Sequence, residues 1–109
     1  MASLDELRKT RLNKLALLRE AGMDPYPAKV PRSFCLDDAH KSFAEYEKSA
    51  KSVSLCGRIM AIRGQGAILF IVLDDGKSTF QGVLKKDELE AKLFELFTTA
   101  VEIGDIVSV

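Results

Sequence analysis

The spacing of hydrophobic residues changes partway along the chain. Leu4, Leu7, Leu12, Leu15 and Leu18 recur at helical intervals. Ser3 followed by Glu6 has the form of a capping box, and Gly22 supplies a stop, so the spacing predicts a helix from Leu4 to Ala21. Asp24-Pro25-Tyr26-Pro27, with Pro31 behind it, predicts an extended segment in which Tyr26 packs as an anchor. Leu36, Ala39, Phe43 and Tyr46 form the apolar edge of a second helix, Leu36 to Ala50, with Asp37 or Asp38 as its cap. After the polar joint Ser49–Ser52 the period falls to two. Val53, Leu55, Gly57, Ile59, Ala61 and Arg63 fall on one face of a strand, and Ser54, Cys56, Arg58, Met60 and Ile62 on the other. Gly57 inside that strand predicts a bulge or a tight bend. Gly64-Gln65-Gly66 predicts a hairpin. Ala67 to Asp74 is apolar almost throughout, as a strand buried on both sides would be, and Asp75-Gly76 turns the chain into a third strand, Ser78 to Leu84. Asp87 is placed to cap an amphipathic helix running to Ala100 with Leu89, Leu93, Leu96 and Phe97 on one side; Gly104-Asp105 then opens a strand at Ile106–Val109.

Three meandering strands, a helix and a further strand follow the order of the five-stranded OB barrel. The expected fold is therefore mainly β with α: N-terminal helices followed by an OB barrel truncated in strand four. It divides into a helical extension with a proline-rich segment (1–51) and the incomplete barrel (52–109). An unclosed barrel leaves strand edges unpaired, which predicts that this chain is a segment of a longer protein or that a partner chain supplies the missing strands.

Composition adds little, and distribution adds more. Sixteen basic and sixteen acidic residues cancel over the 109 residues. Between Ser52 and Lys86, however, Arg58, Arg63, Lys77, Lys85 and Lys86 outnumber Asp74 and Asp75, a modest positive footprint of the kind that attracts nucleic acid. Cys35 and Cys56, 21 positions apart with His40 as the one histidine, have no zinc spacing; two scattered thiols suit a reducing cytoplasm. The N-terminus has no apolar signal core, and the longest apolar run, Ala67 to Leu73, is too short to span a bilayer, so a membrane is not an expected partner.

The residues with candidate chemistry are Arg63, Phe70 and Gln81, on three successive strands. An aromatic can stack an unpaired base. An amide offers both donor and acceptor to a Watson–Crick edge, and a guanidinium supplies fixed donors to a carbonyl or a phosphate. Together they would clamp a nucleotide of single-stranded nucleic acid. The alternatives are that Phe70 is barrel core, that Gln81 is a solvated strand residue and that Arg63 pairs with Asp74 or Asp75. The cations of the first helix, Arg8, Lys9, Arg11, Lys14 and Arg19, read either as a solvated face or as a track for a nucleic-acid backbone. Asp74 and Asp75 are turn formers. No phosphate-cradling loop, nucleophile–base pair or metal ligand set is present, so neither catalysis nor a cofactor is expected in this segment.

Several stretches carry a family resemblance. Arg11-Leu12-Asn13-Lys14-Leu15, Leu18-Arg19-Glu20-Ala21-Gly22-Met23-Asp24-Pro25-Tyr26-Pro27, Gly57-Arg58-Ile59-Met60, Phe70, Leu73-Asp74-Asp75-Gly76, Gln81 and Gly104-Asp105-Ile106-Val107 resemble, in order and spacing, the N-terminal region of bacterial class II lysyl-tRNA synthetases. The resemblance implies an OB barrel that reads the anticodon of lysine tRNA around its middle uridine. It places the stacking phenylalanine at Phe70, the arginine at the end of strand one at Arg63, and the strand-three glutamine at Gln81. An acidic residue that the family uses between strands four and five lies past Val109. For the full-length parent the resemblance implies lysine activation with ATP and Mg²⁺, esterification to tRNA, and a homodimer. The same architecture from an aspartyl- or asparaginyl-tRNA synthetase is the nearest alternative; a protein-interaction module docking through the leucine-rich first helix and the acidic helix Asp87–Ala100 is the alternative from another class.

Overall fold

A computed structural model describes residues 3–109 of the chain, apart from the side chain of Gln65. Three helices, a three-stranded meander, a fourth helix and a short strand follow in sequence: α1 (Leu4–Glu20), α2 (Leu36–Lys41), α3 (Phe43–Ser49), β1 (Cys56–Gln65), β2 (Ile68–Asp74), β3 (Thr79–Lys85), α4 (Ala91–Ala100) and β4 (Ile106–Ser108). The strands form one antiparallel sheet in the order β3-β2-β1-β4.

The expected capping box starts α1: Glu6 N–H donates to Ser3 Oγ at 3.2 Å and Ser3 N–H donates back to Glu6 Oε2 at 3.3 Å. No residue of α1 is fully buried, but Leu15 and Leu18 of the leucine stripe are half-buried and the helix packs beside α4. Ion pairs also attach it. Arg11 lies 2.6 Å from Glu102 and 3.3 Å from Asp105, and Lys14 also meets Glu102. The Lys14 ammonium, with help from Arg11, holds the Glu102 carboxyl below its ordinary pKa.

The predicted single helix Leu36–Ala50 is two helices. Ser42, a weak helix former with φ −105° and ψ 9°, separates α2 from α3, and Ala50 ends α3 in the left-handed region. Neither Asp37 nor Asp38 caps α2. The cap comes from 39 positions away: Asp75 Oδ2 accepts the Leu36 N–H at 3.0 Å, while Asp75 Oδ1 accepts from Lys77 and Ser78 within its own turn. The N–H groups of Leu36, Ser78 and Lys77 together depress the Asp75 pKa. One carboxylate thus shapes the β2–β3 turn and ties the helical extension to it. That tie buries Leu36 and Ala39 in one core with Leu55, Ile59, Ile71 and Leu73.

Three other boundaries differ from expectation. The Gly64-Gln65-Gly66 hairpin is a two-residue turn at Gly66-Ala67, with Gly66 at φ 66°, and β1 continues through Gly64 and Gln65. The helix expected from Asp87 starts at Ala91. The ladder runs on past β3, with Lys86 N–H donating to Ala67 C=O, and residues 87–90 turn back onto Lys85. Gly57 is not a bulge: a Cβ there would lie 3.0 Å from that of Leu73, so the glycine allows β1 and β2 to approach closely. The bulge is at Met60, between the pairs Ile59–Leu73 and Ala61–Val72.

Candidate nucleic-acid interface

The sheet has an inner and an outer face, and the Met60 bulge decides which one Arg63 joins. Strict alternation would put Arg63 on the face of buried Ile59. With one extra residue at Met60 the parity reverses, so Ile62 packs against the core and Ala61 and Arg63 turn outward. Along β2, Ile71 and Leu73 are buried while Phe70 is 39% exposed. The expectation that β2 is buried on both sides therefore fails; its outer face is apolar but open, with Ile68 44% exposed. Along β3 every second residue is exposed, Thr79, Gln81, Val83 and Lys85.

Register gives the layout. Arg63 on β1, Phe70 on β2 and Val83 on β3 form one cross-strand row. The next row is Ala61, Val72 and Gln81. Gln81 is thus the diagonal neighbour of Phe70, a separation of about 7–8 Å between Cα atoms. All three candidates lie on the same exposed face. Among the described residues Arg63 has no ion-pair partner. Asp74 Oδ1 instead accepts from Gly76 N–H, and Asp75 is occupied by its turn and α2, so the pairing of Arg63 with either carboxylate does not form.

Sequence reasoning did not single out Val83, Ile68 or Lys85 as neighbours of Phe70. The period-two pattern of Gln81, Val83 and Lys85 was the available signal. Val83 and Ile68 widen the apolar surface around Phe70, and Lys85 pairs with Ile68 one row beyond it. The extended proline segment is fixed at the opposite end of the sheet. Cys56 Sγ and Ser108 Oγ both donate to the Pro31 carbonyl, and Ser33 bonds Ser54 through backbone and side chain.

A concavity of about 430 Å³ lies elsewhere, between α1 and the α4–β4 connection. A flat exposed row of this kind suits a stacked planar base better than an enclosed ligand. Among the described residues no three His, Cys, Asp or Glu side chains gather as a metal site. Both cysteines are free, and among the described residues no helix is long and apolar enough to cross a membrane.

Comparison with known proteins converges on this part of the chain. Residues 53–109 match a tRNA anticodon family model described as an OB-fold nucleic acid binding domain. Lysine–tRNA ligases are similar over nearly the whole chain. The protein of Prochlorococcus marinus is 36% identical over all of it and that of Carboxydothermus hydrogenoformans 36% identical over 97% of it. The one from Methanoculleus marisnigri is 34% identical over 91%. The chain spans 24%, 21% and 20% of those relatives' own lengths. The curled antiparallel sheet, its preceding helices and the sequence match together show that this chain belongs to the family of OB-fold nucleic acid binding domains found in tRNA anticodon recognition, and resembles the corresponding part of lysine–tRNA ligases.

Proposed function

We propose that this chain is the anticodon-binding module of a lysine–tRNA ligase and that its outer sheet face reads the middle uridine of the lysine anticodon. Phe70 stacks the base, Gln81 meets its Watson–Crick edge, and Arg63 donates to a carbonyl or phosphate beside the ring. Residues 52–109 form the binding module, which a fifth strand closes into a barrel, and residues 1–51 form the extension that braces it. The whole protein, a homodimer in the cytoplasm, joins lysine to tRNA. ATP and Mg²⁺ chemistry, implied by the resemblance for that protein, is assigned to parts of it outside this chain.

The observation that carries the reading is the cross-strand pair Arg63–Phe70, with Gln81 one row along on the same exposed face. A purely structural Phe70 would sit on the Ile71 face, under the helices. Uracil presents two carbonyl acceptors around one N–H, which a glutamine amide can match in part.

The test is an exchange of the middle base. A stem–loop RNA with uridine at the centre of its anticodon should bind the chain more tightly than the same stem–loop with guanine, by about 1–3 kcal/mol, the discrimination a matched side chain gives at a base edge; stacking on Phe70 is common to both loops. Equal affinity for the two would reject reading of the middle base and favour a base-independent contact. The aspartyl and asparaginyl anticodons share that uridine, so exchange of the outer anticodon bases separates those alternatives from lysine.

A further inference from the structure

The outer face carries a cation whose position the reading above does not use. Lys85 follows Gln81 and Val83 on the exposed side of β3, and its cross-strand partner is Ile68. Lys85 lies four positions along the strand from Gln81, about 13 Å. Phe70, opposite Val83, stands midway between them. Along the strand direction the three side chains therefore follow in order, amide, ring and ammonium, with the ring one strand over on β2.

A nucleotide has the same linear order. In a pyrimidine the glycosidic bond leaves the ring on the side away from the Watson–Crick edge. A base stacked on Phe70 with that edge toward Gln81 must direct its sugar and phosphate toward the Lys85 end of the sheet. The other cations are not placed there. Arg58 occupies the row of Asp74, next to a carboxylate, and Lys77 lies in the β2–β3 turn, beyond Gln81. Lys86 is off the outer parity, with its N–H in the ladder to Ala67. Among the described residues Lys85 has one ionic neighbour, Glu88, at 3.8 Å, with both side chains well exposed. A pair at that distance in water contributes little and can be exchanged for a phosphate.

We propose that Lys85 holds the phosphate of the nucleotide stacked on Phe70, and that Glu88 competes with the RNA for this lysine. The proposal rests on the anticodon reading of the outer face and adds to it the direction in which the bound strand runs.

Binding of the uridine stem–loop to the chain, followed by fluorescence anisotropy across a salt series, tests it. Lys85→Gln should weaken binding two- to fivefold at low salt, by the same factor for uridine and guanine loops. It should also make the dependence of log K on log salt shallower by about 0.7, the share of one single-strand phosphate. Lys85→Arg should keep the slope, and Glu88→Gln should tighten binding at low salt. An unchanged slope in Lys85→Gln, with Phe70→Ala still weakening the uridine complex, overturns the role of Lys85 and leaves the base reading standing. Unchanged affinity in both Lys85→Gln and Phe70→Ala overturns the base reading and this inference with it.

Discussion

Phe70 and Phe80 are on adjacent strands of one sheet and have opposite surroundings. Phe80 belongs to the inner face. His40 lies 4.8 Å from it centroid to centroid and Phe43 6.3 Å, and the ring packs against the buried core. His40 also meets the carbonyl of Thr79 through Nε2, so α2 is fastened to β3 beside this ring. Phe70 belongs to the outer face, where no helix covers it. In a sheet with a single helical layer, one face supplies stability, and the apolar residues left on the other are available to a ligand. An aromatic with a covered ring is explained by the core. An aromatic with an open ring, set between a guanidinium and an aliphatic neighbour, needs another explanation, and a stacked base supplies one.

Substitutions on the two faces should separate along this line. The largest effect is expected inside. Leu73→Ala removes a fully buried side chain and should cost about 2–5 kcal/mol of stability, while the fraction that remains folded binds RNA with unchanged affinity. Chemical denaturation combined with an RNA titration measures both quantities. On the outer face the pattern should invert. Phe70→Ala should lose about 1–3 kcal/mol of binding to the uridine loop with a smaller change in melting temperature than Leu73→Ala. If Phe70→Ala lowers stability and leaves the affinity of the folded fraction intact, the two faces do not differ in role.

A smaller effect concerns the tie between α2 and the sheet. Asp75 has its pKa lowered in the folded state by backbone N–H groups. A depressed carboxylate contributes stability at pH above its unfolded value, ordinarily 3.8, and that contribution is lost as pH falls through the lower folded value. Glu102 follows the same sign through Lys14. Melting temperature should therefore fall as pH drops below about 4, and Asp75→Asn should flatten part of that dependence while lowering stability at neutral pH. An identical pH profile in the variant would remove Asp75 as the link to α2.

Local signals made part of this fold readable and left out the rest. The capping box of α1, the Asp75-Gly76 turn and the strand–helix–strand order all depend on neighbours within a few residues. Asp75 as the cap of α2 does not: its partner is 39 positions away, and nothing near Leu36 announces it. The Met60 bulge is visible only once β2 supplies the register, yet it determines that Arg63 shares a face with Phe70. The apolar run of β2 was misleading for a related reason. A face kept apolar for a partner has the same sequence as a face kept apolar for a core, and only the absence of a covering helix distinguishes them. The three candidates were expected to act together, but the exposed face they share was not readable, because it depends on the bulge and on strand register.

The central claim is that RNA meets the open face of the sheet, and backbone amide chemical-shift mapping during titration with the uridine stem–loop tests it most directly. The account predicts that the largest changes cluster at Arg63, Phe70, Gln81, Val83 and Lys85, with the amides of Leu36, Ala39 and α1 little affected. Changes concentrated on α1 or α4, with the outer face of β1–β3 silent, would contradict it and assign the interaction to the helices.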